Sequence, residues 1–246
     1  MDPYVIGGIA FLCVFGAALI GMFLRARLPD HHLSPESRDA IKLATAVVGT
    51  LSALALGLLI ASAKRSFDEA GTGLRTTAAR VLLLDRVMAH YGPEATETRA
   101  MLRKLLETRL SDAGSERSLD DGLDVEPVQD ALRNLSPQTD AQRWLQTRAL
   151  QLSGQIAEAR WMRAETEVGG FPGAFLAILV FWLALLFASF GLLAPGNGTV
   201  MATLFVCALS VTGALVLIID MDHPYLGFIR ISDAPLKQAF ERLGRE

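Results

Sequence analysis

The sequence predicts an all-α integral membrane protein with four transmembrane helices and a helical domain between the second and third spans. Three observations carry this fold class. The chain of 246 residues is 51% hydrophobic and only 20% charged. Its mean hydropathy of +0.35 is too apolar for an ordinary soluble domain. Four stretches with charge-free interiors each approach the roughly 20 apolar residues that a helix needs to cross a bilayer.

The first span is residues 4–24, "YVIGGIAFLCVFGAALIGMFL". It lacks a positively charged leading region and an A-x-A site, and it is longer than a signal peptide's apolar core, so it reads as a retained helix. The second span is 41–63, with Lys42 at its entry and Lys64-Arg65 closing its exit. The third, 172–194, and the fourth, 199–219, are joined by "PGNG" at 195–198, which permits only a tight antiparallel hairpin. Asn197-Gly198-Thr199 matches a glycosylation acceptor, but so short a turn at a membrane surface reads as turn chemistry. Cys13 and Cys207 each sit inside an apolar run, where a thiol acts as a small hydrophobe. Neither a disulfide framework nor a metal-binding CxxC is present in the sequence.

Residues 64–170 read as helix throughout. Leu74, Val81, Leu84, Met88 and Tyr91 form an apolar stripe at three- and seven-residue spacing. Gly92-Pro93 ends that helix and starts the next, with Glu94 in its first turn. Met101, Leu102, Leu105, Leu106 and Leu110 give the following helix its apolar face. "SDAGSERSLDDGLD", 111–124, is polar and acidic and reads as a flexible linker. A short helix then breaks at Ser136-Pro137, and a long one runs from about 138 to 168, lined by Leu145, Ala149, Leu152, Ile156 and Ala159.

The domain plan is therefore spans one and two over 1–63, the helical domain over 64–170, a transmembrane hairpin over 171–222, and a C-terminal segment over 223–246 that packs on the helical domain. Lys and Arg near the span ends set orientation. Arg25, Arg27, Arg38 and Lys42 lie on one side. Lys64, Arg65, Arg75, Arg80, Arg160, Arg163, Arg230, Lys237, Arg242 and Arg245 lie on the other. Ten against four puts both termini and the helical domain in the cytoplasm.

The second span carries two patterns. Thr45, Gly49, Ala53, Gly57 and Ala61 recur at every fourth position, a small-residue stripe that lets another helix approach closely. Well round the helix lie Val47, Leu51, Leu54 and Leu58. That aliphatic face either meets lipid or lines a narrow hydrophobic constriction in an oligomer, of the kind that gates by dewetting. No span carries an internal Asp, Glu, Lys, Arg or His, which argues against a proton relay or coupled transport.

The fourth span ends in Asp220 and Asp222, carboxylates that oppose the helix dipole and risk desolvation at the bilayer edge. Spans two and four run in the same direction, so Lys64, Arg65, Arg160 and Arg163 are the expected partners in an interfacial charge cluster. Pro224 and Gly227 then turn the chain, and Phe228, Ile229 and Ile231 pack back on the helical domain. A divalent-cation site at Asp220 and Asp222 is the alternative, although two carboxylates supply only part of the six to eight oxygens calcium needs. His31-His32 could bind a metal but reads as a solvated pair.

Several stretches resemble a known family. These are "HLSPESRDAIKLATAVVGTLSALALGLLIASAKRSFD" (32–68), "LLLDRVMAHYGPEATETR" (82–99), "LSPQTDAQRWLQTRALQL" (135–152) and the region 181–236. They are similar to a bacterial membrane family long carried as a domain of unknown function and also labelled bestrophin-like. The most specific piece is the terminal pattern of Asp222, Pro224, Tyr225, Gly227, Ile231, Ser232, Pro235 and Leu236. Where the family more often has Arg-Pro-Phe, this chain has His223-Pro224-Tyr225, which exchanges a fixed charge for a group that titrates near neutrality.

Bestrophins are pentameric anion channels with four membrane helices per subunit, a helical cytoplasmic region between the second and third, a pore neck on the second and an acidic calcium clasp after the fourth. The resemblance thus implies a homo-oligomeric anion (chloride) channel in a bacterial inner membrane, a pentamer by analogy, with the second span lining the pore and Leu51, Leu54 and Leu58 forming the neck. Its partners would be the lipid bilayer, copies of itself and a permeant ion. The competing reading is a non-conducting membrane scaffold whose helical domain recruits a partner. A net charge of −3 gives no basic excess for nucleic acid. No Ser-His-Asp or Cys-His arrangement, phosphate loop or paired acids suggest an enzyme, and no cofactor is implied beyond the calcium alternative.

Overall fold

The structure is a computed structural model that describes residues 3–29, 34–111, 123–167, 173–222 and 229–244; the side chains of 163–167 and 222 lie outside the description. In chain order it contains α1 (Pro3–Arg27), α2 (Pro35–Tyr91), a 3-10 turn (Pro93–Ala95), α3 (Thr96–Ser111), α4 (Glu126–Arg133), α5 (Asp140–Glu167), α6 (Gly173–Leu193), α7 (Gly198–Asp222) and α8 (Ala234–Arg242). Among the described residues there is no strand. α1, α2, α6 and α7 are long and apolar enough to cross a membrane. The chain divides into two units, Met1–Ser66 with Phe171–His223, and Phe67–Gly170 with Pro224–Glu246.

α2 contributes to both units, because it runs as one helix of 57 residues. The sequence changes character at Lys64, from apolar to charged, but "KRSFDEA" (64–70) contains neither Pro nor Gly, so the helix has no reason to stop. It starts at Ser34, whose Oγ accepts a hydrogen bond from the Ser37 backbone N–H at 3.3 Å, an N-cap. It ends where Gly92 adopts φ +125°, a region that favours glycine.

In the spanning unit α1 lies directly against α6. A Cβ on Gly21 would collide with the Ala188 carbonyl, and one on Gly191 with the Ala18 carbonyl. The two backbones therefore meet at a pair of glycines, the small-residue geometry that close helix crossings in membranes require. Gly7 is similarly covered by Val216 of α7. Ala10, Val14 and Ala18 of α1 share a core with Ala55, Leu59 and Ala63 of α2, Leu179 and Leu183 of α6, and Leu204, Ala208 and Leu215 of α7. Phe205 of α7 meets Phe11 and Phe15 of α1 edge-on, at centroid distances of 5.5 and 5.4 Å. Arg25 Nη1 donates to the Leu193 carbonyl at 2.6 Å, satisfying an acceptor that the end of α6 leaves open. In the turn between α6 and α7, Asn197 Oδ1 accepts from the Val200 N–H at 2.9 Å, so Asn197 is the N-cap of α7.

The second unit is a helical assembly around Leu74, Val81, Leu84, Met88 and Tyr91 of α2, Leu102 and Leu106 of α3, and Ala149, Leu152 and Ile156 of α5. Val128 and Leu132 of α4 and Leu236, Ala239 and Leu243 at the C-terminal end complete it. Gln146 Nε2 donates to the carbonyls of Leu132 and Leu135 at 2.8 and 2.9 Å, closing the end of α4. Most of the expected linker, 112–122, lies outside the described residues. Its last two residues are tied down: Leu123 is buried, and Asp124 Oδ1 pairs with Arg160 Nη1 at 3.1 Å. Residues 30–33, including His31 and His32, also lie outside the description.

Candidate functional site

In its apolar half, α2 buries Ser52, Ala55, Leu59 and Ala63 against its own chain. With about 100° per residue these four fall within one quadrant of the helix. α2 is also the span least covered by its own chain: 17% of its apolar window is buried, against 28%, 28% and 33% for α1, α6 and α7.

Val47, Leu51, Leu54 and Leu58 stand on another face and are 57%, 46%, 62% and 61% exposed. An uninterrupted aliphatic surface is thus left open along the middle of a membrane-length helix. The small-residue stripe does not stay on one side. A four-residue step overshoots a helical turn by about 40°, so five members sweep about 160°. Thr45 and Gly49 are half-buried, with Leu186 of α6 3.6 Å from the place of a Gly49 Cβ. Ala53 and Ala61 are exposed, and a Cβ at Gly57 would meet nothing within 4 Å. The stripe begins against its own chain and ends on the open side, next to the aliphatic face.

At the end of α7, Asp220 is buried, at 4% exposure. Lys64 and Arg65 are exposed on α2, and Arg160 is engaged with Asp124. The side chains of Arg163 and Asp222 lie outside the description, as do Pro224, Tyr225 and Gly227 of the C-terminal motif. The rest of that motif is local structure. Ser232 Oγ accepts from the Ala234 N–H at 3.2 Å, and Pro235 sits in the first turn of α8. Ile231 packs against the helical core. Among the described residues no three His, Cys, Asp or Glu side chains gather to hold a metal. Asp220 and Asp222 alone supply only part of the six to eight oxygens calcium takes, and the side chains of Asp222, Glu165 and Glu167 lie outside the description.

Two buried polar features were not anticipated from the sequence. Asp85, 5% exposed at its side chain, accepts from Arg99 through Nε to Oδ1 at 2.8 Å and Nη2 to Oδ2 at 3.2 Å. The Gly244 N–H adds a third bond to Oδ2 at 3.3 Å. The signal was present: Asp85 lies on the inward face between Val81 and Met88, and an acid there needs a partner. The hydroxyls of Ser52 and Tyr91 are buried without a hydrogen-bond partner among the described residues. Burial first, and then the Glu94 carboxylate, raise the Tyr91 phenol above its ordinary pKa.

Searches of curated proteins and of solved structures gave no match to this chain. The model of the family described as "Bestrophin-like domain" matches residues 12–236, from inside α1 to the first turn of α8. A match over most of the chain, on a helical structure with four membrane-length helices, establishes that the chain belongs to the Bestrophin-like family.

Proposed function

We propose that the protein is an oligomeric, anion-conducting channel of a bacterial inner membrane, with α2 of each subunit lining the pore. The observation that carries this reading is the open aliphatic face of α2. Val47, Leu51, Leu54 and Leu58 are exposed on the span that its own chain covers least. Repeated around a symmetry axis, Leu51, Leu54 and Leu58 form a hydrophobic neck that passes ions when wetted and blocks them when dry. Family membership supports a channel, and the charge-free interiors of the spans suit passive conduction over coupled transport. The distribution of Lys and Arg supports cytoplasmic termini and a cytoplasmic helical unit. A pentamer follows by analogy with bestrophins.

The test is planar-bilayer recording of purified oligomers. Leu51→Ala and Leu58→Ala each widen the neck and raise unitary conductance. Wild-type currents with neither mutant altered would remove α2 as the constriction.

A second reading, a non-conducting scaffold, draws on Trp144 and Trp161 of α5, which are 66% and 65% exposed on the helical unit. Exposed tryptophans are frequent anchors of protein interfaces. Electrically silent oligomers that retain a partner through these residues would favour it.

A further inference from the structure

The open face of α2 does not end at the aliphatic residues. Seven residues beyond Leu58 stands Arg65, exposed like Ala61 and Ser62 between them. Seven residues are two turns less about 20°, so Arg65 lies on the same face as Leu58, about 10 Å further along the axis. At the other end, Glu36 precedes Val47 by eleven residues, three turns plus about 20°, or about 16 Å. It too is exposed. This face therefore runs acid, aliphatic, base, with the exposed Glu69 following one turn beyond the base on the same side. Off this face, Asp39 and Lys42 pair with each other at 2.9 Å.

We infer that Arg65 forms the charge-selecting ring of this pore. The inference rests on the proposed role of α2 and adds to it the residue that sets the sign of the permeant ion. An aliphatic neck discriminates by width and wetting, and cannot tell chloride from potassium. A ring of guanidinium groups can, because rotational symmetry repeats one Arg65 per subunit around the axis. Its place beside a narrow apolar stretch matters. Low-dielectric walls focus the field there and raise the local anion concentration. Lys64 stands about 100° round the helix and off this face. Glu69, exposed four residues past Arg65, carries the opposite charge, so its own contribution has to be measured beside that of Arg65. A base next to the aliphatic stretch at one end only also makes the pore asymmetric. Anions enter more readily from the Arg65 side, so current rectifies.

The experiment measures reversal potentials of purified oligomers in planar bilayers under a tenfold potassium chloride gradient. The wild type is compared with Arg65→Gln, Arg65→Glu, Arg65→Lys and Glu69→Gln, each confirmed to elute as the wild-type oligomer. Arg65→Gln is expected to lower the chloride-to-potassium permeability ratio by about threefold or more. Arg65→Glu reverses the preference, Arg65→Lys keeps it, and Glu69→Gln moves it by less than Arg65→Gln. Reversal potentials unchanged in both Arg65→Gln and Arg65→Glu would overturn the role of Arg65. With Leu58→Ala still raising conductance, that result would leave α2 as the pore helix. A wild type without current would instead overturn the channel reading itself.

Discussion

Asp85 is a buried tie within the helical unit. Its carboxylate joins α2 to Arg99 of α3 and to the backbone at Gly244. Removing one partner of a buried pair strands the other, so Asp85→Asn should destabilise the helical unit. Because the Arg99 side chain is 23% exposed, water recovers part of the loss, and about 2–4 kcal/mol is expected. Thermal unfolding of the detergent-solubilised protein measures it. A double mutant with Arg99→Ala should be little worse than the single mutant if the two act as a pair. Tyr91 predicts the opposite sign. Its hydroxyl is buried without a partner, so Tyr91→Phe should be neutral or stabilising, by about 1 kcal/mol. Because the folded phenol has a raised pKa, stability is fully present below about pH 10, the ordinary tyrosine value, and is lost as pH rises through the folded pKa. Tyr91→Phe removes that loss, and an alkaline unfolding midpoint unmoved by the substitution would contradict it. Burial at these positions was legible from the stripe of Leu84 and Met88, whereas the pairing of Asp85 with Arg99 was not. Sequence periodicity says which way a side chain points on its own helix, but not what the next helix brings to meet it.

At the scale of elements, the close crossing of α1 and α6 at Gly21 and Gly191 is the sharpest feature. Even one methyl at Gly21 meets backbone, which cannot rotate away as a side chain can. Gly21→Ala should therefore cost about 1–3 kcal/mol, visible as a lower unfolding temperature, while Gly57→Ala, in open space, should change the stability of a single chain little. The four spans were legible because a bilayer demands a long apolar run, and the turn at Asn197 because its residues permit little else. The glycine crossing was harder to see. Gly7, Ala10, Ala18 and Gly21 share a buried face of α1, but small residues are common in membrane helices, and the more regular stripe on α2 draws the eye. That stripe turns about the helix, since its period is 4 and not 3.6. The division of the chain at residue 63 also followed composition. The helix runs on through that point, because charged residues such as Arg65 and Glu69 sit as readily in a helix as Leu58 does.

For the whole molecule, the face of α2 that runs through Val47, Leu51, Leu54 and Leu58 stays open within a single chain. In a lone subunit it would simply meet lipid, as any apolar helix face may do without cost. In the proposed oligomer it becomes the wall of a pore with Arg65 at its inner end. The sequence shows that these residues share a face, and the structure shows that the face is open. Neither property depends on what covers it, which is why function is less legible here than fold. The most direct test is single-channel recording of the purified oligomer in planar bilayers under a chloride gradient, wild type beside Leu58→Ala. Discrete currents that reverse near the chloride potential, larger in Leu58→Ala, are the predicted result. Silence from intact oligomers, or currents that reverse near the cation potential and ignore Leu58, would contradict an anion pore lined by α2.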